Sequence, residues 1–412
     1  MAKSKSIEVQ VDPSEVGFDA DRLELIGQHF RQYVDDAKLP GINILVSRGG
    51  KVAYREMYGH RDVERGTGVE SDTIYRFYSM TKPVTSVAAM QLYERGLFQL
   101  KDPISKWLPE FSNARVFCGG DAQKPETREP KREINVHDLL THMSGLTYDF
   151  HMAHPVDEIY RKNGFNWGTP GDLEESCKVL ASLPLLFDPG TEWNYSYSTD
   201  VLGRIIEVIS GDSLDTYFQN NVFIPLGMSE TRFQVLSEDV NRFASNYVPN
   251  PSNARLHLLD DAGKSRYLKP PRVLSGGGGL VSTMADYYRF IDALRRGGTL
   301  DGQRIIGRKT LEYMTSNHLP GGADLTEHGR ALFSETAYDG VGFGLGFSVV
   351  VDPCKANILS QKGEYGWGGA ASTAFWVDPV EDIAVIFLTQ LMPSSTYPLR
   401  PELKALVYQA LE

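Results

Sequence analysis

Strand-forming sequence is confined to the two ends of this chain, and the connections within each group are short. Ile42 to Ser47 and Val52 to Tyr58 are rich in β-branched and aromatic residues. They are separated by Arg48-Gly49-Gly50-Lys51, where the glycines supply the positive φ of a tight hairpin. Near the other end, Phe343 to Val351, Ala374 to Val377 and Ile383 to Thr389 have the same texture, the last two joined only by Asp378-Pro379-Val380-Glu381-Asp382. Links this short cannot return the chain to a parallel neighbour, so the strands pair antiparallel. The middle differs: helical periodicity marks Val84 to Arg95, Val136 to His142, Leu202 to Ser210 and Leu214 to Val222, between long Pro- and Gly-containing loops. A further amphipathic helix runs from about Asp19 to Asp36, with Leu23, Leu25, Ile26, Phe30 and Val34 forming its apolar face. The fold class that follows is α/β of the α+β kind, an antiparallel sheet flanked by helices plus a mostly helical lobe. Residues 1–78 and 275–412 would build the sheet domain, 79–274 the helical one, with the active site in the cleft between them.

Length supports that division, since 412 residues exceed the ~250–300 at which a single core usually stops growing. A net charge of −11 without a basic stripe excludes nucleic acid and anionic membrane surfaces as expected partners. No run approaches the length of a membrane span. Cys118, Cys177 and Cys354 are too few for a disulfide framework, and Met1 to Val11 has two lysines but no apolar stretch after them, so the expectation is a cytoplasmic protein.

Three short elements carry the chemistry. Ser79-Met80-Thr81-Lys82 opens a helix, and the i, i+3 spacing puts hydroxyl and amine on one face. Pro83 fixes the boundary, because proline is tolerated only in a first turn, so the helix begins near Ser79 or Met80. Free N–H groups there can stabilise an oxyanion, whereas a first-turn lysine opposes the helix dipole and needs another reason to be present. The second element, Trp193 to Gly203, is polar and aromatic and precedes a helix; the third, Gly363 to Thr373, is glycine-rich and leads into the strand from Ala374. Singly, each has a structural explanation: an N-cap serine with a solvated lysine, an aromatic loop capped by Ser198 or Thr199, and a glycine loop with a packed tryptophan. Their force is in the combination.

In order and spacing the three elements resemble the class C β-lactamase, penicillin-binding protein and family VIII carboxylesterase superfamily over nearly the whole chain. Ile134 to Leu146 is similar to the family's LLTHxSGL segment, and Gly276-Gly277-Gly278-Gly279-Leu280-Val281-Ser282-Thr283 to its GGLxST turn. The resemblance implies a β-lactamase/transpeptidase-like fold and a serine carboxylesterase acting on small acyl esters through an acyl-enzyme. Ser79 would be the nucleophile, Lys82 its proton partner and Tyr195 the aromatic base, with Tyr197 the competing tyrosine. Backbone N–H groups of Ser79 and Ala370 would form the oxyanion hole, and Trp367, Gly368, Gly369 and Tyr197 would contact substrate. Two positions depart from the β-lactamase pattern: Tyr197 stands where asparagine is expected and Trp367 where the cationic lysine is expected. An indole suits a neutral acyl substrate better than a carboxylate. A β-lactamase, a D-amino-acid peptidase, an acyltransferase or a non-catalytic scaffold are the alternatives. The base is either a Tyr195 phenolate beside charged Lys82 or a desolvated neutral Lys82.

Other chemistries do poorly. There is no G-x-S-x-G elbow and no H-E-x-x-H, so neither cofactor nor metal is expected, and His151 with His154 reads as a solvated pair. The Gly276 to Gly279 run is no phosphate cradle, and Thr283 with Asp286 reads as a capping box. Tyr148, Phe150, Trp167 and Phe343 are pocket-lining candidates that packing explains equally well.

Overall fold

The computed structural model describes residues 7–166, 168–250, 252, 255–330 and 338–412. Asp19 accepts the Arg22 N–H and so starts α1, Ala20–Asp35, whose Leu23, Ile26 and Phe30 are buried. Strands β1, Gly41–Arg48, and β2, Lys51–Asp62, follow as the expected hairpin. Gly49 and Gly50 sit at φ 59° and 74°, the left-handed pair that a two-residue turn between right-twisted strands requires. A short β3, Thr67–Gly68, completes this edge. The other strands come from the far end of the chain: β4, Val341–Phe343, β5, Ser348–Val350, β6, Tyr365–Gly368, β7, Ala374–Asp378, and β8, Ile383–Leu388. They form one eight-stranded sheet in the order β4-β5-β6-β7-β8-β1-β2-β3, antiparallel throughout. β1 and β8 lie side by side at its centre, Asn43 opposite Leu388 and Ser47 opposite Ala384, which joins the two ends of the sequence.

Two sequence expectations are corrected here. Phe343 to Val351 is not one strand, because the chain reverses at Gly344 to Phe347 and the two halves pair as β4 and β5. Tyr365 to Gly368 is not a loop but a strand, β6, with Gly366 facing Trp376 and Trp367 facing Phe375. Its glycines hid it, since glycine lacks the side chain on which strand propensity rests.

Six helices frame the site and the sheet: α1, then α2, Thr81–Glu94, α3, Val136–Leu140, α4, Ser198–Ser210, α5, Met284–Arg295, and α6, Leu399–Tyr408. One sheet face buries Ile42, Ile44, Val46 and Phe387 against Phe30 of α1 and Leu403 and Val407 of α6. The other buries Leu45, Phe375, Val377 and Ile386 in a larger core with Tyr287 and Ile291 of α5 and the helices of the chain's middle. With helices on both faces, β8 is buried at all six positions, which is why Ile383 to Leu388 reads as an unbroken apolar run. Helix α2 is buried from Thr81 to Leu92 on every side, so it serves as a central post rather than a surface helix. Thr283 caps α5 as expected, but the buried Asp286 carboxylate turns away from the cap to the Glu230 N–H and the Thr231 hydroxyl. His151 and His154 are not a solvated pair: His151 Nδ1 lies 3.3 Å from Thr147 Oγ1, and His154 caps the helix Pro155–Lys162.

Candidate active site

Short pairing of Tyr75–Arg76 with Val281–Ser282, extended by the Phe77 N–H on the Leu280 carbonyl, binds the segment before Ser79 to the glycine turn at 276–280. Tyr78 then takes φ 43°, uncommon for a residue with a side chain, and a 3-10 turn over Tyr78–Met80 leads into α2. The α-helix thus starts two residues beyond Ser79, and the serine sits on the tight turn at its mouth. The Tyr78 hydroxyl, anchored by the Asn246 amide at 3.2 Å, helps to hold that backbone.

Lys82 is 2 % exposed, yet among the described residues no carboxylate touches it. Its Nζ donates to the Gly277 carbonyl at 2.7 Å and lies 3.2 Å from Ser79 Oγ. The Tyr195 ring lies 4.4 Å from the amine and the Tyr148 ring 5.4 Å. Burial is the dominant influence and lowers the lysine pKa to about 7, against an opposing pull from the Asp200 charge. The i, i+3 spacing of the sequence therefore does join amine and hydroxyl.

Tyr195 arrives from the loop before α4. Its backbone neighbourhood is stitched to the segment that ends α3: Asn194 N–H donates to the His142 carbonyl, and Ser196 Oγ touches both His142 Nδ1 and Ser198 Oγ, which in turn meets Ser144 Oγ at 2.7 Å. His142 packs its ring 4.9 Å from that of Tyr195 and is held neutral by burial. This gives the Ile134 to Leu146 motif a physical purpose as the buttress behind the tyrosine. Burial drives the Tyr195 phenol well above its ordinary pKa, while hydrogen bonding to Ser79 and Trp367 pulls it back. Trp367 Nε1 donates to the phenol oxygen at 3.3 Å, and its ring meets Phe343 edge-on at 5.3 Å.

Strand β6 delivers the third element beside the nucleophile. A Cβ on Gly369 would collide with the Phe77 carbonyl, and one on Gly368 with the Arg400 guanidinium, so both glycines are set by close approach rather than by turn geometry. The Gly369 N–H donates to the Thr373 carbonyl, leaving the next peptide, at Ala370, beside the Ser79 segment. Among the described residues neither the Ser79 nor the Ala370 N–H has a protein acceptor, as an oxyanion hole requires.

Ser79, Lys82, Tyr195, Trp367, Gly368, Gly369 and Ala370 are thus brought together. Tyr197 is not: its hydroxyl donates to Asp149 at 2.5 Å, and its ring packs 4.4 Å from Tyr148, which stands between it and Tyr195. Tyr197 is thus engaged with Asp149 and Tyr148 rather than with the Ser79–Lys82 pair. Tyr148 and Phe343 are buried against the site, while Trp167 lies outside the described residues. The sequence reading missed Asp200 and the Gly277 carbonyl, which act on Lys82, and Arg400, whose charge acts on Tyr195; folding alone brings them there. A groove of about 400 Å³ lined by Val34, Tyr58, His60 and Leu256 contains none of these residues. Among the described residues no His, Cys, Asp and Glu cluster could hold a metal, the three cysteines are unpaired, and no helix is long and apolar enough to cross a membrane.

A buried lysine on a serine at the mouth of a central helix, beside an antiparallel sheet, defines a serine hydrolase of the β-lactamase and transpeptidase architecture. The chain belongs to the Beta-lactamase family, whose model matches residues 26–409. It is 31% identical to Esterase EstB of Burkholderia gladioli, over 92% of this chain and 93% of that one. It is 28% identical to monacolin J acid methylbutanoyltransferase of Aspergillus terreus, over 91% and 92% respectively. Among solved structures it superposes on EstCE1, a hydrolase with promiscuous acyltransferase activity, with a TM-score of 0.79 at 27% identity, covering 96% of this chain and 99% of that one.

Proposed function

We propose that the protein is a carboxylesterase that hydrolyses short-chain acyl esters through an acyl-enzyme on Ser79, with neutral Lys82 as the base. One observation carries this reading: the Lys82 amine, drawn down to about 7 by burial, lies 3.2 Å from Ser79 Oγ. A base with a pKa near the working pH combines the correct protonation state with sufficient driving force. Tyr195, raised by burial, stays a phenol and is a proton carrier rather than a resident phenolate. Ser79 Oγ attacks the ester carbonyl as its proton passes to Lys82 Nζ, and the oxyanion rests on the Ser79 and Ala370 N–H groups. The C–O bond to the alcohol breaks as the departing alkoxide takes the proton back, relayed by the Tyr195 phenol. Water then attacks the acyl-enzyme, giving its proton to Lys82, which passes it to Ser79 Oγ as the acyl–oxygen bond breaks and the acid leaves. Trp367, Tyr195 and Phe343 present an apolar wall with a single indole N–H, which favours a neutral acyl group over the carboxylate of a β-lactam. The chain's own catalytic residues require no metal or cofactor in these steps.

A second reading, acyl transfer to an alcohol in place of water, is favoured by the likeness to a methylbutanoyltransferase and to EstCE1. The two share the acyl-enzyme and differ only in the acceptor. Hydrolysis of p-nitrophenyl acetate, butyrate and octanoate is compared with that of nitrocefin, in wild type and in Ser79→Ala. Fast short-chain turnover that drops ~10⁶-fold in Ser79→Ala is expected, on the scale of nucleophile loss in other serine hydrolases. Nitrocefin cleaved faster than every ester, or esterase activity that survives Ser79→Ala, overturns the proposal. Added butanol that diverts product from acid to butyl ester establishes the transfer reading.

A further inference from the structure

We propose that Asp200 is a positioning residue of this site: it clamps the glycine turn whose carbonyl holds the Lys82 amine against Ser79, and it is the carboxylate whose charge that amine feels. This deepens the reading of Lys82 as base and rests on it.

Asp200 occupies the first turn of α4, five residues after Tyr195, where an acid ordinarily points to solvent and complements the helix dipole. Here it is 2 % exposed. Its Oδ1 accepts the Ser275 hydroxyl at 2.6 Å and the Gly277 N–H at 3.2 Å, and the carbonyl of the same Gly277 receives Lys82 Nζ at 2.7 Å. One residue of backbone therefore separates carboxylate and amine. A Cβ on Gly277 would lie 2.5 Å from Asp200 Oδ2 and 3.1 Å from the Tyr148 hydroxyl, so the contact demands glycine. From the opposite side α2 fastens the same turn, with Thr85 Oγ1 donating to the Gly276 carbonyl at 2.7 Å and Thr81 Oγ1 accepting the Leu280 N–H at 3.1 Å. The turn thus keeps two anchors when Asp200 is changed, which separates a positioning role from a folding one.

The groups facing Lys82 are Ser79 at the mouth of its own helix, Tyr195 and Tyr148 from the loops on either side, and Asp200 behind Gly277. His142, behind Tyr195, stays neutral. Asp200 in turn faces Tyr148, Tyr195, Tyr197 and Cys177, each of which its charge pushes upward, with burial the leading cause for all four. Among the described residues no other carboxylate acts on Lys82. Burial alone would depress the amine further, and the Asp200 charge restrains that fall.

The experiment is the pH dependence of kcat/KM for p-nitrophenyl acetate between pH 5 and 9, with wild type, Lys82→Ala, Asp200→Asn and Asp200→Glu. Asp200→Asn keeps shape and an acceptor oxygen but removes the charge. Its acid limb is expected to move at least about half a pH unit lower, with a plateau kcat up to about threefold lower per half unit as the weaker base takes the serine proton less readily. Asp200→Glu keeps the charge but displaces the clamp, so its limb is expected to hold while kcat falls several-fold. An acid limb unmoved in Asp200→Asn overturns the proposal. If Asp200→Asn does not fold, Asp200→Glu decides: a limb that moves, or an unchanged kcat, overturns it. Should the wild-type limb persist in Lys82→Ala, the failure belongs to the underlying assignment of the base and not to Asp200.

Discussion

Among the described residues two lysines are buried, and they are held by different partners. Lys82 is 2 % exposed and Lys404, on α6, 8 %. Each amine lies over an aromatic ring, Lys82 at 4.4 Å from that of Tyr195 and Lys404 at 4.8 Å from that of Trp376. The difference is the polar partner. Lys404 makes an ion pair with Glu364, which is itself 3 % exposed and also receives the Tyr408 hydroxyl at 2.6 Å. Among the described residues the polar atoms in contact with Lys82 are a hydroxyl and a carbonyl oxygen, neither of them a charged partner. Burial in a low dielectric makes a charged amine costly in both places and draws both down to about 7, so what separates them is the contact: Lys404 faces a carboxylate and Lys82 a serine hydroxyl. A buried lysine is therefore a candidate base when its neighbours are neutral, and a structural tie when one of them is an acid.

The contrast is sharpest in activity. Lys82→Ala is expected to lower kcat/KM by ~10²–10⁴-fold, the usual scale for a lost general base, with little loss of stability because a buried amine without an ionic partner is removed. Tyr195→Phe is expected to cost less, since the ring that packs on Lys82 and His142 remains. In wild type the active form is the neutral amine, so kcat/KM should fall about tenfold per pH unit below the Lys82 pKa of about 7 and be flat above it. A stopped-flow ester assay across that range checks both statements. Equal losses in Lys82→Ala and Tyr195→Phe, with no acid limb, would return the base role to the tyrosine.

Lys404 should fail in the other currency. Lys404→Met keeps much of the side-chain volume but strands Glu364 in the interior, at a cost of ~3–5 kcal/mol in unfolding free energy. Activity per folded molecule, counted by fluorophosphonate labelling of Ser79, is expected to stay within about threefold of wild type, since loss of a remote contact removes no group from the site. Lys404→Met combined with Glu364→Gln should regain most of the stability, because no unpaired charge is left. If Lys404→Met instead abolishes turnover in a folded protein, the division between the two lysines is wrong.

The sequence disclosed more of the sheet than of the site, for a physical reason. Alternating or continuous apolar runs and paired glycines are local signals, and they located β1, β7 and β8 within a residue and the start of β2, which runs four residues past Tyr58. Strand β6 escaped because Gly366 and Gly368 carry no strand propensity; the reason for those glycines is the approach of the neighbouring strand's backbone at Phe375 to Gly366 and of Arg400 and the Thr373 carbonyl to Gly368. Within the site, Ser79 and Lys82 were legible because their contact follows from helix geometry alone. Asp200 was not, because a first-turn acid looks like a dipole partner until the fold turns it inward onto Gly277. That the Ile134 to Leu146 segment buttresses Tyr195 was equally hidden, since the links from His142 and Ser144 to Ser196 and Ser198 join residues more than fifty apart.

The smallest expected effect bears on the second tyrosine. Tyr197 lies two residues from Tyr195, yet its hydroxyl is committed to Asp149 and its ring is enclosed by Tyr148 and Phe165. Tyr197→Phe removes one buried hydrogen bond to a carboxylate and should cost ~1–3 kcal/mol of stability, measured by urea denaturation. It should leave kcat/KM within about threefold and the acid limb in place, because the ring that supports Tyr148 beneath Lys82 is retained. The same change at Tyr195 deletes the oxygen that receives Trp367 Nε1–H and is expected to reduce kcat at every pH. Were Tyr197→Phe the more damaging of the two for turnover, the aromatic cluster would have to be rearranged in the working enzyme, with Asp149 rather than Trp367 supporting the catalytic phenol. Identical pH profiles in wild type and Tyr197→Phe would instead confine proton transfer to Ser79, Lys82 and Tyr195.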